Sequence, residues 1–168
     1  MQNIYLVGFM GTGKTVVGEI LAKKMAKEFI EMDAVIEEKQ GIEIVDIFAQ
    51  QGEACFRSLE KILLGSLSKR EDLVVSCGGG LICDHENLKL LKETGTVFAL
   101  TASVSTIYQR VKEHSHRPIL NVDNPQEKIK QLLERRAPFY DQARHSIDSD
   151  NLSPEEITDK IIAILNHG

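Results

Sequence analysis

Gly8-Phe9-Met10-Gly11-Thr12-Gly13-Lys14-Thr15 satisfies G-x-x-x-x-G-K-[ST] at every fixed position. An apolar segment, Ile4–Val7, comes before it and an amphipathic stretch comes after it. In that setting the pattern binds phosphate. Successive backbone N–H groups face inward and hold phosphate oxygens, helped by the positive end of the following helix. Lys14 adds a point charge near the β- and γ-phosphates, and the Thr15 hydroxyl is placed to bind Mg2+. GTPases carry a DxxG switch and an NKxD motif, and neither occurs in this chain. A Walker B strand normally ends in an acid, whereas Val74-Val75-Ser76-Cys77 runs into Gly78-Gly79-Gly80. The magnesium carboxylate is therefore expected elsewhere, at Glu31 or Asp33. Of 12 glycines, six lie in the two loops at 8–13 and 78–80, which suggests a ligand held between them.

Three arginines stand out by position. Ile129, Leu132, Leu133 and Arg136 are spaced i, i+3, i+4, i+7, so Arg136 ends an apolar stripe. A guanidinium buried there needs an anion, either a protein carboxylate or a ligand. The alternative is that it reaches solvent from the helix end. Arg57 lies beside the apolar face of its helix with Glu60 one turn on, a spacing equally suited to a solvated surface pair. Arg117 sits in the polar, aperiodic stretch Lys112–Asn124, which has the length of a lid or of a plain solvated loop. His114 and His116 have no partner pattern for a metal site. Cys77 reads as a buried strand thiol.

The elements that must position these residues alternate. Strands are expected at Ile4–Val7, Phe29–Met32, Leu73–Ser76, Thr96–Leu100 and, at one edge, Ser146–Asp148. Helices are expected over Lys14–Lys27 and Glu53–Gly65, around Leu88–Lys92 with Gly95 closing it, after a Ser103 cap, from near Pro125, and from Ser153-Pro154 onward. Such alternation implies a parallel sheet covered on both faces, with ligands bound beyond the carboxyl ends of its strands. Both glycine loops follow strands and so belong to that edge.

Composition narrows the class. The chain has 168 residues, 42% hydrophobic and 27% charged, the size and balance of one globular domain. A net charge of −5, from 25 acids against 20 bases, argues against a dedicated nucleic-acid binder but not against a small anionic ligand. The longest apolar run, Ile161–Leu165, is far too short for a bilayer. A strand starting at Ile4 leaves no export signal in view, and Cys55, Cys77 and Cys83 form no paired framework. A cytoplasmic, monomeric protein with free thiols is expected.

The ordered set GFMGTGKT (8–15), DAVIE (33–37), FRSLE (56–60), GGG (78–80), RPIL (117–120) and RAPFY (136–140) resembles the shikimate kinases. These are small P-loop kinases related to nucleoside monophosphate kinases. The resemblance runs from Gly8 to about Ala143. It implies a three-layer αβα sandwich around a five-stranded parallel sheet. It also implies a single domain over residues 1–168, with a substrate-binding insertion at about 33–61 and a lid at about 112–124. The implied reaction is phosphorylation of the 3-hydroxyl of shikimate by ATP with Mg2+, a step of aromatic amino acid biosynthesis. By the same resemblance Arg57 and Arg136 clamp the substrate carboxylate, and Glu60 orients Arg57. Asp33 meets the reacting hydroxyl as base, and Gly78, Gly79 and Gly80 bring N–H groups to the substrate. Gly11, Thr12, Gly13, Lys14, Thr15 and Val16 hold the nucleotide, Arg110 packs on adenine, and Arg117 comes from the lid to the phosphates. Where the family usually has D-x-D, this chain has Glu31-Met32-Asp33, so Glu31 takes the metal-facing position beside Thr15. The alternatives are another P-loop small-molecule kinase, acting on gluconate or a nucleotide, and a non-catalytic ATP-binding module.

Overall fold

The computed structural model describes residues 2–113 and 120–167. Five strands, β1 (Asn3–Val7), β2 (Glu28–Glu31), β3 (Leu73–Ser76), β4 (Gly95–Thr101) and β5 (His145–Asp148), form one sheet in the order β2-β3-β1-β4-β5. Every pairing is parallel. β1 and β3 are buried at every residue, which explains their unbroken apolar runs.

Side-chain alternation along these strands builds two separate cores. Tyr5 and Val7 of β1 and Val97 and Ala99 of β4 face one side. Ile4, Leu6, Phe98 and Leu100 face the other. On this second side lie α1 (Lys14–Met25) and α8 (Pro154–His167), packed through Val17, Leu21, Ile157 and Ile161. The first side is covered by α2 (Met32–Gln40), α3 (Ile44–Gln51), α4 (Glu53–Leu67), α5 (His85–Thr94), α6 (Val104–Lys112) and α7 (Pro125–Tyr140). The parallel sheet covered on both faces that the alternation implies, and the three-layer αβα sandwich that the resemblance implies, are therefore the observed architecture.

Three details differ from the sequence expectation. Residues 32–51 hold two short helices, α2 and α3, where none was expected, and Met32 opens α2 rather than closing β2. α4 continues through Gly65 to Leu67. Gly95 does end α5, but in extended backbone as the first residue of β4 rather than as a left-handed cap. The caps that were expected form as such. Ser103 Oγ accepts from Thr106 N at 3.2 Å. At the start of α8, Glu156 N donates to Ser153 Oγ at 3.1 Å and Ser153 N to Glu156 Oε2 at 2.7 Å.

Parallel pairing puts the loops after β1, β2 and β3, three adjacent strands, along one edge. The loop after β1 leads directly into α1, so the packing of α1 fixes where that loop ends. Leu21 anchors α1 to the sheet with no exposed surface. Leu21→Ala is expected to lower the unfolding free energy by about 2–5 kcal/mol, read as a shift of the denaturant midpoint. A loss below about 1 kcal/mol would mean that α1 is held by something else.

Candidate active site

The loop after β1 is built for close approach. Gly8, Gly11 and Gly13 have φ of 147°, 77° and 97°, backbone that favours glycine. Thr12 is buried, and its hydroxyl donates to Phe9 O at 2.8 Å, so its side chain braces the loop rather than lining it. Lys14 Nζ donates to Gly8 O at 2.8 Å and to Phe9 O at 3.0 Å. Val16 stands exposed on the first turn of α1. Arg110, on α6, ties this loop to the end of the sheet: Nη1 donates to Gly11 O at 2.9 Å and Nη2 to Ser149 O at 3.0 Å.

The loop after β3 meets it from the side. A Cβ at Gly78 would collide with the Glu60 carboxylate and stand 3.1 Å from Asp33 Oδ1. A Cβ at Gly79 would stand 3.2 Å from Arg136 Nη1 and 3.7 Å from Met10 N of the phosphate loop. At Gly80 it would meet the Arg57 guanidinium at 2.5 Å. The three successive residues thus abut side chains of α2, α4 and α7, and side chains at these positions would evict the groups now beside them. The turn is also polarised. The Gly78 and Gly80 carbonyls accept from Leu81 N and Cys83 N, both at 3.1 Å, and the Gly79 carbonyl accepts from Tyr140 Oη at 2.6 Å. The N–H groups of residues 78–80 donate to no acceptor among the described residues. The carbonyls of the turn are taken, and its N–H groups are the donors that could meet a ligand.

Arg57 does not sit as a plain surface pair. Its Nη1 donates to Glu60 Oε2 at 2.6 Å and its Nη2 to Glu53 Oε1 at 3.3 Å, and Glu60 is only 1% exposed. Burial works against the charge on Arg57, but Glu60 and Glu53 more than offset it and hold the guanidinium above its ordinary value. Burial pushes the Glu60 carboxyl up, the Asp33 charge adds to the rise, and Arg57 and Arg136 oppose it. Arg136 lies over the Phe9 ring at 5.3 Å, and among the described residues no carboxylate pairs with it within 4.0 Å. Cys77 is fully buried and its thiol is pushed far above the ordinary range by that burial, which makes it inert.

Across the phosphate loop, the Thr15 hydroxyl donates to Glu31 Oε2 at 2.5 Å. Two hard oxygen donors in contact at the mouth of the loop suit Mg2+, which takes one or two protein oxygens and draws the rest of its shell from phosphates and water. Among the described residues no cluster of three His, Cys, Asp or Glu side chains offers a larger metal site.

The structure therefore brings Lys14, Thr15, Glu31, Asp33, Arg57, Gly78, Gly79, Gly80 and Arg136 to one edge. Arg110 reaches the same loop from α6. Arg117, with His114 and His116, lies outside the described residues. Sequence reasoning passed over Phe9 and Tyr140. The signals for Tyr140 were its place one turn beyond Arg136 on α7 and in the RAPFY run of the resemblance.

A phosphate loop on the central strand of a 2-3-1-4-5 parallel sheet, facing an arginine-lined turn, defines a P-loop kinase of the nucleoside monophosphate kinase type. Deoxyadenosine kinase from M. mycoides shares this fold with a TM-score of 0.69 at 15% identity, covering 99% of this chain and 100% of that one. The chain belongs to the shikimate kinase family, whose model matches residues 10–166. Shikimate kinase of Thermodesulfovibrio yellowstonii is 45% identical over 162 residues, 96% of this chain and 94% of that protein. The structure of shikimate kinase from Acinetobacter baumannii in complex with shikimate superposes with a TM-score of 0.95 at 38% identity, covering 99% of this chain and 94% of that one.

The raised Glu60 carboxyl has a consequence for stability. On raising the pH, the unfolded chain ionises first while the folded state keeps its proton, so Glu60 removes stability as pH climbs from its ordinary value, about 4.5, toward the raised one. Urea unfolding of the wild type and Glu60→Gln across about pH 4–7 should show the wild type losing ground to the variant with rising pH. A difference that grows in the wild type's favour would contradict a raised Glu60.

Proposed function

We propose that this chain transfers the γ-phosphoryl group of ATP to the 3-hydroxyl of shikimate, giving shikimate 3-phosphate and ADP, a step toward the aromatic amino acids. The observation that carries the reading is the pair of guanidiniums, Arg57 and Arg136, against consecutive glycines of a turn that itself abuts the phosphate loop. Two forks of donors in one recess suit the carboxylate of a small organic acid. The A. baumannii relative was solved in complex with shikimate, which supports the same acceptor for this chain.

In this reading the nucleotide lies along residues 11–16 with its base against Arg110. Lys14 exchanges the Gly8 and Phe9 carbonyls for phosphate oxygens. Shikimate docks by its carboxylate between Arg57 and Arg136, with Glu60 holding Arg57 in place. The turn at 78–80 donates N–H groups to it, and this fixes the hydroxyl toward the γ-phosphate. Asp33, in the first turn of α2 beside Gly78, accepts the hydroxyl proton. Thr15 and Glu31 would hold Mg2+, which would supply charge neutralisation to the phosphates. Glutamate at position 31 is one methylene longer than the family's aspartate, and its carboxylate reaches the Thr15 hydroxyl. Residues 33–61 act as the substrate-binding insertion and 112–124 as the lid, which brings Arg117 to the phosphates and excludes water. All of these groups belong to one chain, consistent with a monomer. No described helix is long and apolar enough to cross a membrane, in keeping with a cytoplasmic enzyme.

A coupled ADP-release assay against shikimate, gluconate and the nucleoside monophosphates tests the acceptor. Turnover is expected with shikimate alone, and ATP binding with no acceptor-dependent ADP release would reject the reading. Asp33→Asn should lower kcat by roughly 10²–10⁴. A variant within about threefold of wild type would remove Asp33 as the base. Arg136→Ala should raise the KM for shikimate and spare that for ATP, whereas equal losses would mark Arg136 as structural.

A further inference from the structure

Tyr140 ends α7 with its ring in the core on the α2–α7 side of the sheet and only 5% of its surface exposed. Its hydroxyl donates to the Gly79 carbonyl at 2.6 Å, 61 residues away in sequence, and also lies in hydrogen-bonding reach of the Arg136 guanidinium on the same helix. Burial pushes the phenol up to about 12, so it remains a neutral donor throughout the working pH range of an enzyme.

The bond constrains more than one oxygen. In a trans peptide the C=O of one residue and the N–H of the next point in opposite directions across a rigid plane. Fixing the Gly79 carbonyl toward α7 therefore fixes the Gly80 N–H on the other side of the turn, away from α7. Gly80 is the residue whose Cβ would strike the Arg57 guanidinium, so the peptide that carries this N–H lies against the recess that Arg57 lines. With no side chains of its own, the turn has nothing to hold this peptide plane except what bonds its carbonyls. The Gly78 and Gly80 carbonyls are closed locally, by Leu81 N and Cys83 N. Only the Gly79 carbonyl depends on a distant group.

We infer that Tyr140 is a positioning residue for the acceptor: its hydroxyl locks the Gly79–Gly80 peptide so that the Gly80 N–H faces the substrate. This rests on the acceptor reading above for the substrate's identity, but not for the role of the hydroxyl in the turn. Arg136 lies one turn earlier on the same helix and also meets Gly79. α7 thus supplies both a guanidinium for the ligand and the clamp that orients the neighbouring donor. Tyr140 touches no reacting atom; its hydroxyl acts through the turn and also meets the Arg136 guanidinium, so the exchange at residues 81 and 83 is the readout specific to the turn.

The test is Tyr140→Phe in the full chain, which keeps the ring in its packing and deletes the donor. The KM for shikimate should rise about tenfold, the size expected for one lost hydrogen bond that leaves its acceptor unpaired, with the KM for ATP within about twofold. Hydrogen exchange read in the same variant does not depend on the acceptor. The Leu81 and Cys83 amides, bonded to the turn's own carbonyls, should exchange about tenfold faster while those of α1 stay as in wild type. An unchanged KM for shikimate in an active enzyme would overturn the inference. So would a parallel rise in both KM values with a lowered Tm, and so would unchanged exchange at 81 and 83. If wild type fails to turn over shikimate yet exchange responds as expected, the acceptor reading falls and the clamp on the turn stands.

Discussion

The constraint on which the site depends is that residues 78–80 carry no side chains. Each of the three positions is abutted from outside by a charged group: the Glu60 and Asp33 carboxylates at Gly78, the Arg136 guanidinium at Gly79, and the Arg57 guanidinium at Gly80. Opposite charges meet here within one turn of backbone. Their mutual distances are set by how closely each approaches the same bare chain. A methyl group at position 80 would displace Arg57, and Glu60 would lose the partner that offsets its burial. The turn is thus a spacer, and the electrostatics of the acceptor side follow from its thinness.

Charge placement completes this picture. Glu60 is buried and its carboxyl is raised, yet it holds Arg57 charged and directed. Arg136 has an aromatic face beneath it and no paired carboxylate among the described residues. One guanidinium is restrained by the protein and the other is left with unspent charge. A carboxylate ligand entering between them finds one arm already oriented and one able to adjust. The opposite wall is arranged differently. Lys14 rests on two carbonyls of its own loop, and Thr15 and Glu31 satisfy each other, so the phosphate side is internally neutral until nucleotide arrives.

Much of this was legible in the residues. The phosphate loop has fixed spacing and its own glycine requirement, so eight consecutive residues carried it. The triple glycine after a valine-rich strand was visible for the same reason, and the i, i+3 spacing tied Arg57 to Glu60, although nothing local said that Glu60 would be buried. The helices α2 and α3 were not legible. They are 9 and 8 residues long, separated by Gly41, and α2 buries only Met32 and Ile36, too few apolar positions to show a period. Gly95 misled because a glycine after a helix normally signals a left-handed cap. Here its bareness serves the approach of β1, since a Cβ at 95 would strike Asn3 O and the Tyr5 ring. The role of Tyr140 could not be read, because its partner lies across the fold and sequence spacing is silent about such pairs.

The sheet divides the molecule into two cores that share no side chains, because odd and even residues of each strand face opposite ways. The helix that extends from the nucleotide loop packs in one of them, and the helices bearing Arg57, Asp33 and Arg136 pack in the other. Substitutions that reshape the acceptor recess can therefore accumulate in one layer without disturbing the packing behind the nucleotide. A lineage built on this plan is free to exchange the molecule it phosphorylates while inheriting its donor machinery intact.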